Sequence, residues 1–568
     1  MRTYSSAIFW LPPTDAILYL TQYIHNMNEE HKKNAGMQSS TNHRTDAGDS
    51  RIDSGHDVPR RTHRQPRFEK KQDSRKPAKD RPGKSVPKAD RNAESTQVRS
   101  RDSKPDNKPA RSPRLQKNPR ELVVETLIKL ENGGYSNIVW DLAIRHSALN
   151  NLDKILATRI FYGTLSNIRL IDALWNDIEP EMLKRADTVV KMALRSAMYQ
   201  LVFLDRVPAY SIVSTTVDVV KHLRNHAACG YCNALLRKAV ARQEAGRLKY
   251  NPTGNELTDF AVKYSMNDDL ASLIIGEFGE QAAEIAESML SVPRMVLRVN
   301  QSKVSMQALR ERENFDVEPS SLFPQSSCVV VKRHEAIEKA LDDGEVCVQD
   351  DAAQMAVMAL GTPETWAPGR DEVHLWDACA GHGGKSIYLL DEIACDKSQR
   401  RFQLLSTDLF ATKLERLQEY HQKHFPAQKL IAKARDLTIG GSVPLAPFDV
   451  ILVDAPCSGL GVLRRHPEVK LLRKAEDIAS LVELQHQILD NVCRHLRVGG
   501  ILVYAVCTIT QAECEQQVES FLQQHPNFER RNLPAECTSG RGDCAQIKLL
   551  PHTDGCDGFF VARFTRVS

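Results

Sequence analysis

Long apolar runs are missing from this sequence. The most hydrophobic early stretch, SAIFWLPPTDAILYL, is broken by Pro12, Pro13 and Asp15, so no segment reaches the roughly 18 residues that a membrane-spanning helix needs. The same stretch imitates a weak signal peptide but has no convincing cleavage site. The expectation is a soluble cytoplasmic protein, with Met27 or Met37 as alternative starts. A regular cysteine framework is missing too. Thirteen cysteines scattered through 568 residues fit reduced thiols, most of them packing residues, better than a disulfide scaffold. Cys514, Cys537, Cys544 and Cys556 are irregularly spaced and have no paired histidines, which argues against zinc. Aromatic residues shrink to Phe68 alone between positions 41 and 120. That interval also holds 23 Lys and Arg against 11 Asp and Glu, a surplus of 12 in a chain of formal net charge +4, so the other 488 residues are net negative by about 8. A segment so poor in apolar surface cannot offset its ordering entropy. Residues 1–118 therefore read as a disordered basic extension, either an arm for RNA or a solvated spacer.

The remaining length, with 41% hydrophobic residues overall, is enough for several cores. Residues 119–246 carry apolar residues at helical spacing, as in RELVVETLIKLENGG and RADTVVKMALRSAMYQLVFLD, and predict an all-helical domain. Within it the pair Cys229 and Cys232, in CGYC, imitates a redox motif, but no βαβ unit surrounds it. Residues 247–349 mix helical stretches with short strands such as RMVLRVN and CVVVKR, as a small α+β connector does. From 350 to 568 strands and helices alternate, which predicts a doubly wound, mostly parallel sheet.

The first strand of that sheet ends in DACAGHGGKS. Gly381, Gly383 and Gly384 let a ligand approach the backbone at a helix N-terminus. The loop is not a Walker A motif, because Cys379 stands where its first glycine is required, and it is not GxGxxG. The next strand ends in Asp408, 24 residues beyond Gly384, close to the offset at which an acid accepts ribose hydroxyls. A third is followed by Asp436, placed for the adenine end. Together these predict a nucleoside cofactor.

Two more strands, FDVILVDAPC and GGILVYAVC, each end in a cysteine. Ligands bind beyond the carboxyl ends of strands in an open α/β sheet. If these two strands are neighbours, Asp454, Cys457 and Cys507 converge beside the glycine loop. Cytosine C5 is a weak nucleophile until a thiolate adds at C6, and it can then take the methyl group of a sulfonium cofactor. Asp454 is suited to the N3/N4 edge of such a base and Lys385 to local positive potential. One thiol would attack and the other would assist release; spacing alone does not decide which. The bland alternative, small buried hydrophobes, fits poorly with Pro456, Gly459 and Gly461, which form a tight loop.

The motifs DAPCSGLGVLRRHPEVK, YAVCTITQAECEQQVESFL, CAGHGGK and DGCDGFFVARF resemble the RNA cytosine-C5 methyltransferases, and within them the bacterial RsmB type. YQLVFLDRVPAYSIVSTTVDVVK and CGYCNALLRK are similar to the domain that this type shares with the antitermination factor NusB. The resemblance covers residues 119–568. It implies an all-α NusB-like RNA-binding domain, a connector and a Rossmann-like class I methyltransferase domain. Cys507 would be the nucleophile and Cys457 would aid product release. Cys379, Ala380, Gly381, His382, Gly383, Gly384 and Lys385, with Asp408, Asp436 and Asp454, would surround S-adenosylmethionine. The implied substrate is a cytidine of small-subunit ribosomal RNA, acted on by a monomer that needs no protein partner. Transfer RNA as substrate, a DNA-type mechanism with Cys457 attacking, and a catalytically silent RNA-binding protein are the competing readings. Two departures stand out: Gly381-His382 replaces the family's usual Ala-Pro, and Val506 and Thr508 flank Cys507 in place of Thr and Ser.

Overall fold

The structure, a computed structural model, describes residues 118–568 apart from 132, 224, 440–446, 539–540 and 543. The basic extension up to residue 117 lies outside the described residues.

The first helices, Pro119–Glu131 through Cys229–Glu244, pack around Ile160, Phe161, Trp175 and Met198. Thr188–Phe203 is buried on most sides, as its mostly apolar sequence, interrupted by Lys191 and Arg195, suits a central helix. Asn150 caps Asn151–Ser166 by accepting the Asp153 N–H, satisfying one of the orphan donors of the first turn. Cys229 and Cys232 open the last of these helices as free thiols. Cys232 is sealed in the core and burial pushes its thiol up to about 11, so the pair has the character of packing residues.

Residues 247–349 contribute to two cores. Helices Glu256–Lys263, Asp268–Phe278 and Ala282–Ser288 share theirs with Leu460, Leu463, Val469, Ile478 and Ile509 from far down the chain. The second core lies under strands β1 (Val296–Val299), β2 (Val317–Pro319), β3 (Ser327–Val330) and β4 (Val346–Val348), paired antiparallel in the order β2-β3-β1-β4.

The C-terminal sheet is built from β5 (Glu372–Asp377), β6 (Arg401–Asp408), β7 (Lys429–Ala434), β8 (Phe448–Asp454), β9 (Leu496–Val506), β10 (Phe528–Arg530), β11 (Gln546–Leu549) and β12 (Phe559–Arg566). Its order is β10-β12-β9-β8-β5-β6-β7, with β11 against β12. β9, β8, β5, β6 and β7 are parallel; β10, β11 and β12 add an antiparallel edge. Along β8, Val450 and Leu452 face one core while Ile451 and Val453 face the other. Helices cover both faces, so the central strands read as continuous apolar runs.

The segment after β8 ties all three regions together. Ser136 donates its N–H and hydroxyl to the Glu468 carboxylate (3.2 and 2.7 Å). The Lys470 ammonium, fully buried, donates to the carbonyls of Ser166 (2.7 Å) and Tyr264 (3.1 Å). The Asn267 N–H donates to the Lys470 carbonyl at 2.9 Å. Burial lowers the Lys470 pKa to about 7. Below that pH the folded chain carries a buried charge. Between pH 7 and 10.5 the unfolded chain binds more protons, so stability rises with pH by up to ~1.4 kcal/mol per unit from this group. The melting temperature of wild type relative to Lys470→Met should therefore climb between pH 7 and pH 9; a constant difference would contradict this reading.

Candidate active site

Five parallel strands end on one side of the sheet, and the loops there carry the polar residues that the apolar strands cannot. At the end of β5, Asp377 is fully buried. Its carboxylate accepts the Ser386 hydroxyl at 2.6 Å, and its other oxygen has no hydrogen-bond partner. Burial, partly opposed by Ser386 and Lys385, pushes its pKa up to about 7. The glycine loop follows. Gly381 and Gly383 take positive φ (+56° and +87°), a conformation that costs glycine nothing. A Cβ on Gly383 would stand 2.7 Å from the Leu417 side chain, whereas one on Gly381 would meet nothing within 4 Å. The loop therefore packs tightly below and leaves open space above, where helix Gly384–Cys395 begins.

The Asp408 carboxylate, at the end of β6, accepts the N–H groups of Gly381 and Phe410, both at 3.0 Å, and pairs with Lys413 at 3.3 Å. It braces the loop from the adjoining strand. Asp436, two residues beyond β7, accepts the N–H (2.9 Å) and hydroxyl (2.6 Å) of Thr438. His382 lies apart from the thiols: with Gly384, Arg416, Tyr420 and Cys347 it lines a cavity of about 250 Å³ between the glycine loop and the β4 side of the connector.

β8 and β9 are direct neighbours, with Asp454 opposite Ala505. This register brings the loops beyond them together: the sulfurs of Cys457 and Cys507 stand 3.3 Å apart. Both residues are half-buried. Hydrogen bonding to Cys507, then burial, raises the Cys457 thiol well above its ordinary value, so Cys457 stays protonated and can donate to Cys507. Lys385 Nζ lies 2.5 Å from Asp454 Oδ2. Burial pulls the ammonium down, but Asp454, with Asp377 and Cys507, more than offsets this and leaves it raised. Cys379 packs against the core beneath, its thiol raised by burial and by the nearby acids.

The Cys457 loop is zipped onto its surroundings. The Gly461 N–H donates to the Cys507 carbonyl (3.1 Å), and the Gly461 carbonyl accepts the Gly558 N–H (2.8 Å). Arg464 and Arg465 donate to Asp557 (2.6 and 2.5 Å), and Arg465 also to Asp350 (2.6 Å). A Cβ on Gly461 would stand 1.9 Å from the Gly558 carbonyl oxygen, so the backbone itself must move. Gly461→Ala should lower turnover about 10²-fold, as displacing reacting groups by about 1 Å does. Steady-state assays with cofactor affinity as control check it, and unchanged turnover would contradict the packing.

Sequence reasoning missed Asp377, Glu468, Lys470 and Glu513. Only Asp377 carried a signal, an acid at the end of the strand that leads into the glycine loop.

A Rossmann-like sheet with an open-topped glycine loop after its first strand, braced by an acid from the next, defines a class I, S-adenosylmethionine-dependent methyltransferase domain. The chain belongs to the 16S rRNA methyltransferase RsmB/F family. That family's model matches residues 364–565, and the NusB family model matches 117–241. The chain is 30% identical over 453 residues to the probable ribosomal RNA small subunit methyltransferase B of Bacillus subtilis, covering 78% of this chain and 97% of that one. It is 33% identical over 415 residues to ribosomal RNA small subunit methyltransferase B of Vibrio cholerae, covering 72% and 89%. The fold matches the crystal structure of PH0851 with a TM-score of 0.65 at 21% identity, over 80% of this chain and 100% of that one. Among the described residues no helix is long and apolar enough to cross a membrane.

Proposed function

We propose that this protein methylates C5 of a cytidine in small-subunit ribosomal RNA through a covalent bond between Cys507 and C6 of the base. The carrying observation is the pair of sulfurs 3.3 Å apart on adjacent strand ends, beside the Lys385–Asp454 pair. The activity named for the relatives supports the choice of RNA.

Residues 379–385, with Asp408, Asp436 and Asp454, would hold S-adenosylmethionine, which would supply the methyl group. The target base must be unpaired or flipped, because stacking hides both faces of C6. Cys507, its proton lost to solvent, forms the Sγ–C6 bond, and the electron pair of the C5–C6 double bond becomes available at C5 for the methyl group. Asp454 holds the N3/N4 edge, and the Lys385 ammonium compensates the charge that develops. In release, the C5 proton leaves to water and its electron pair re-forms the double bond. The C6–Sγ bond breaks as this happens, and Cys507 departs as a thiolate that the Cys457 S–H stabilises. The helical domain grips neighbouring RNA, and the protein acts in the cytoplasm as a monomer. Incubation with methyl-labelled cofactor and 16S ribosomal RNA, followed by nucleoside analysis, should yield 5-methylcytidine at one position. Label on another base or another atom, or label accepted only by transfer RNA, would contradict the proposal.

A further inference from the structure

The mechanism leaves a buried charge next to the two thiol loops unused. Glu513 is completely enclosed, six residues beyond Cys507, in a stretch whose sequence reads as the start of helix Glu515–Gln524. Its side chain turns back beneath the two thiols. Oε1 accepts the Ser458 N–H at 2.8 Å and the Gln485 amide at 3.0 Å. Oε2 accepts the hydroxyls of Ser458 (2.5 Å), Thr510 (2.9 Å) and Thr508 (3.2 Å). The Ser458 and Thr508 hydroxyls lie 2.7 Å from each other. Ser458 directly follows Cys457, and Thr508 directly follows Cys507. So many potential donors converging on two oxygens suit a carboxylate, which only accepts. The clamp is itself held in place: Gln485 donates to the Pro456 carbonyl (3.0 Å), and the Tyr504 hydroxyl donates to the Gln485 carbonyl oxygen (3.1 Å) or to the Glu513 backbone carbonyl (2.8 Å).

We propose that Glu513 is the positioning residue of the thiol pair: by bonding to the residue after each cysteine, its carboxylate fixes the two strand-end loops to one another and keeps the sulfurs in contact. This rests on the roles assigned above to Cys457 and Cys507. The same charge acts on chemistry as well as geometry, because it contributes, after contact with Cys507 and burial, to keeping the Cys457 thiol protonated as the donor that release needs. An amide in this place keeps only one acceptor oxygen: its N–H₂ group either faces the Ser458 N–H and the Gln485 amide donors or forces the three hydroxyls to turn and accept, so Glu513→Gln, although isosteric, should loosen the clamp.

The full chain tests this with Glu513→Gln, the milder Ser458→Ala, Cys457→Ala, and Glu513→Gln combined with Cys457→Ala. Brief oxidation with diamide, followed by peptide mass spectrometry, reads how readily Cys457 and Cys507 link, independently of any methylation. The expected result is fast linkage in wild type, a linkage rate and kcat both lower by about 10²-fold in Glu513→Gln, and about tenfold lower in Ser458→Ala. Affinity for S-adenosylmethionine and KM for RNA should stay within about twofold, well under 1 kcal/mol. In the Cys457→Ala background Glu513→Gln should add little further delay to product release, because both act through one pair. Near-wild-type linkage and kcat in Glu513→Gln, or a full multiplicative effect on top of Cys457→Ala, would overturn the proposal. If Cys457→Ala fails to accumulate an RNA adduct, the thiol roles fall instead, and the linkage rate still decides what Glu513 does.

Discussion

Cys507→Ala should abolish methyl transfer: the single-turnover rate is expected to fall about 10⁴-fold, equivalent to about 5.4 kcal/mol of lost transition-state stabilisation. In the proposed mechanism this sulfur makes the bond to C6, and Cys457 could take its place only by reversing the roles of the two loops. Cofactor affinity should not change, since β8 separates the Cys507 strand from the glycine loop after β5. Cys457→Ala behaves differently. On the proposed roles it leaves Cys507 free to attack but removes the S–H group 3.3 Å away, so the protein should stay joined to its RNA and a covalent complex should accumulate on denaturing gels. Single-turnover assays with labelled cofactor, run beside such gels, check both variants. The opposite pattern, an adduct from Cys507→Ala and no transfer by Cys457→Ala, would assign attack to Cys457.

Lys385→Met should have a smaller but still large effect. The ammonium is the cation that faces Asp454, at 2.5 Å, and it also lies over the Phe559 ring at 5.6 Å. Lys385 is 12% exposed and Asp454 26%, so solvent screens the pair only partly. Removing one partner leaves a carboxylate without its counter-charge where negative charge develops on the base, and kcat should fall about 10²-fold, near 3 kcal/mol. Lys385→Arg should recover part of that loss by restoring charge without the compact geometry. Full activity in Lys385→Met would remove the residue from the account.

The positions of the candidate site residues were legible because the sheet makes them so. A continuous apolar strand in an open α/β fold delivers its last residue to the ligand side, and Asp408, Asp454, Cys457 and Cys507 all sit where that rule puts them. The glycine loop was legible because its glycines stand between the first strand and a helix, and two of them, Gly381 and Gly383, take the positive φ that favours glycine. What the sequence hid depends on contacts between distant segments. Glu513 reads locally as an acid near a helix start, and only the pairing of β8 with β9 shows that it spans the two cysteine loops. Nothing in their local sequence marks Lys470 and Glu468, yet they meet backbone groups of Ser166, Tyr264 and Ser136, some 200 to 330 residues away. The connector's helices, read as part of one small unit, instead share a core with Leu460 and Ile509 beside the thiols. The antiparallel edge was hidden because β10 and β11 are only three and four residues long.

The central claim is that the Cys507 sulfur bonds to C6 of a cytidine. RNA carrying 5-fluorocytidine at the target position blocks release, since fluorine cannot leave C5 as a proton does. Peptide mapping of the resulting protein–RNA complex by mass spectrometry should find the nucleotide on Cys507. A nucleotide on Cys457, or no covalent complex under conditions in which the natural RNA is methylated, would contradict the account.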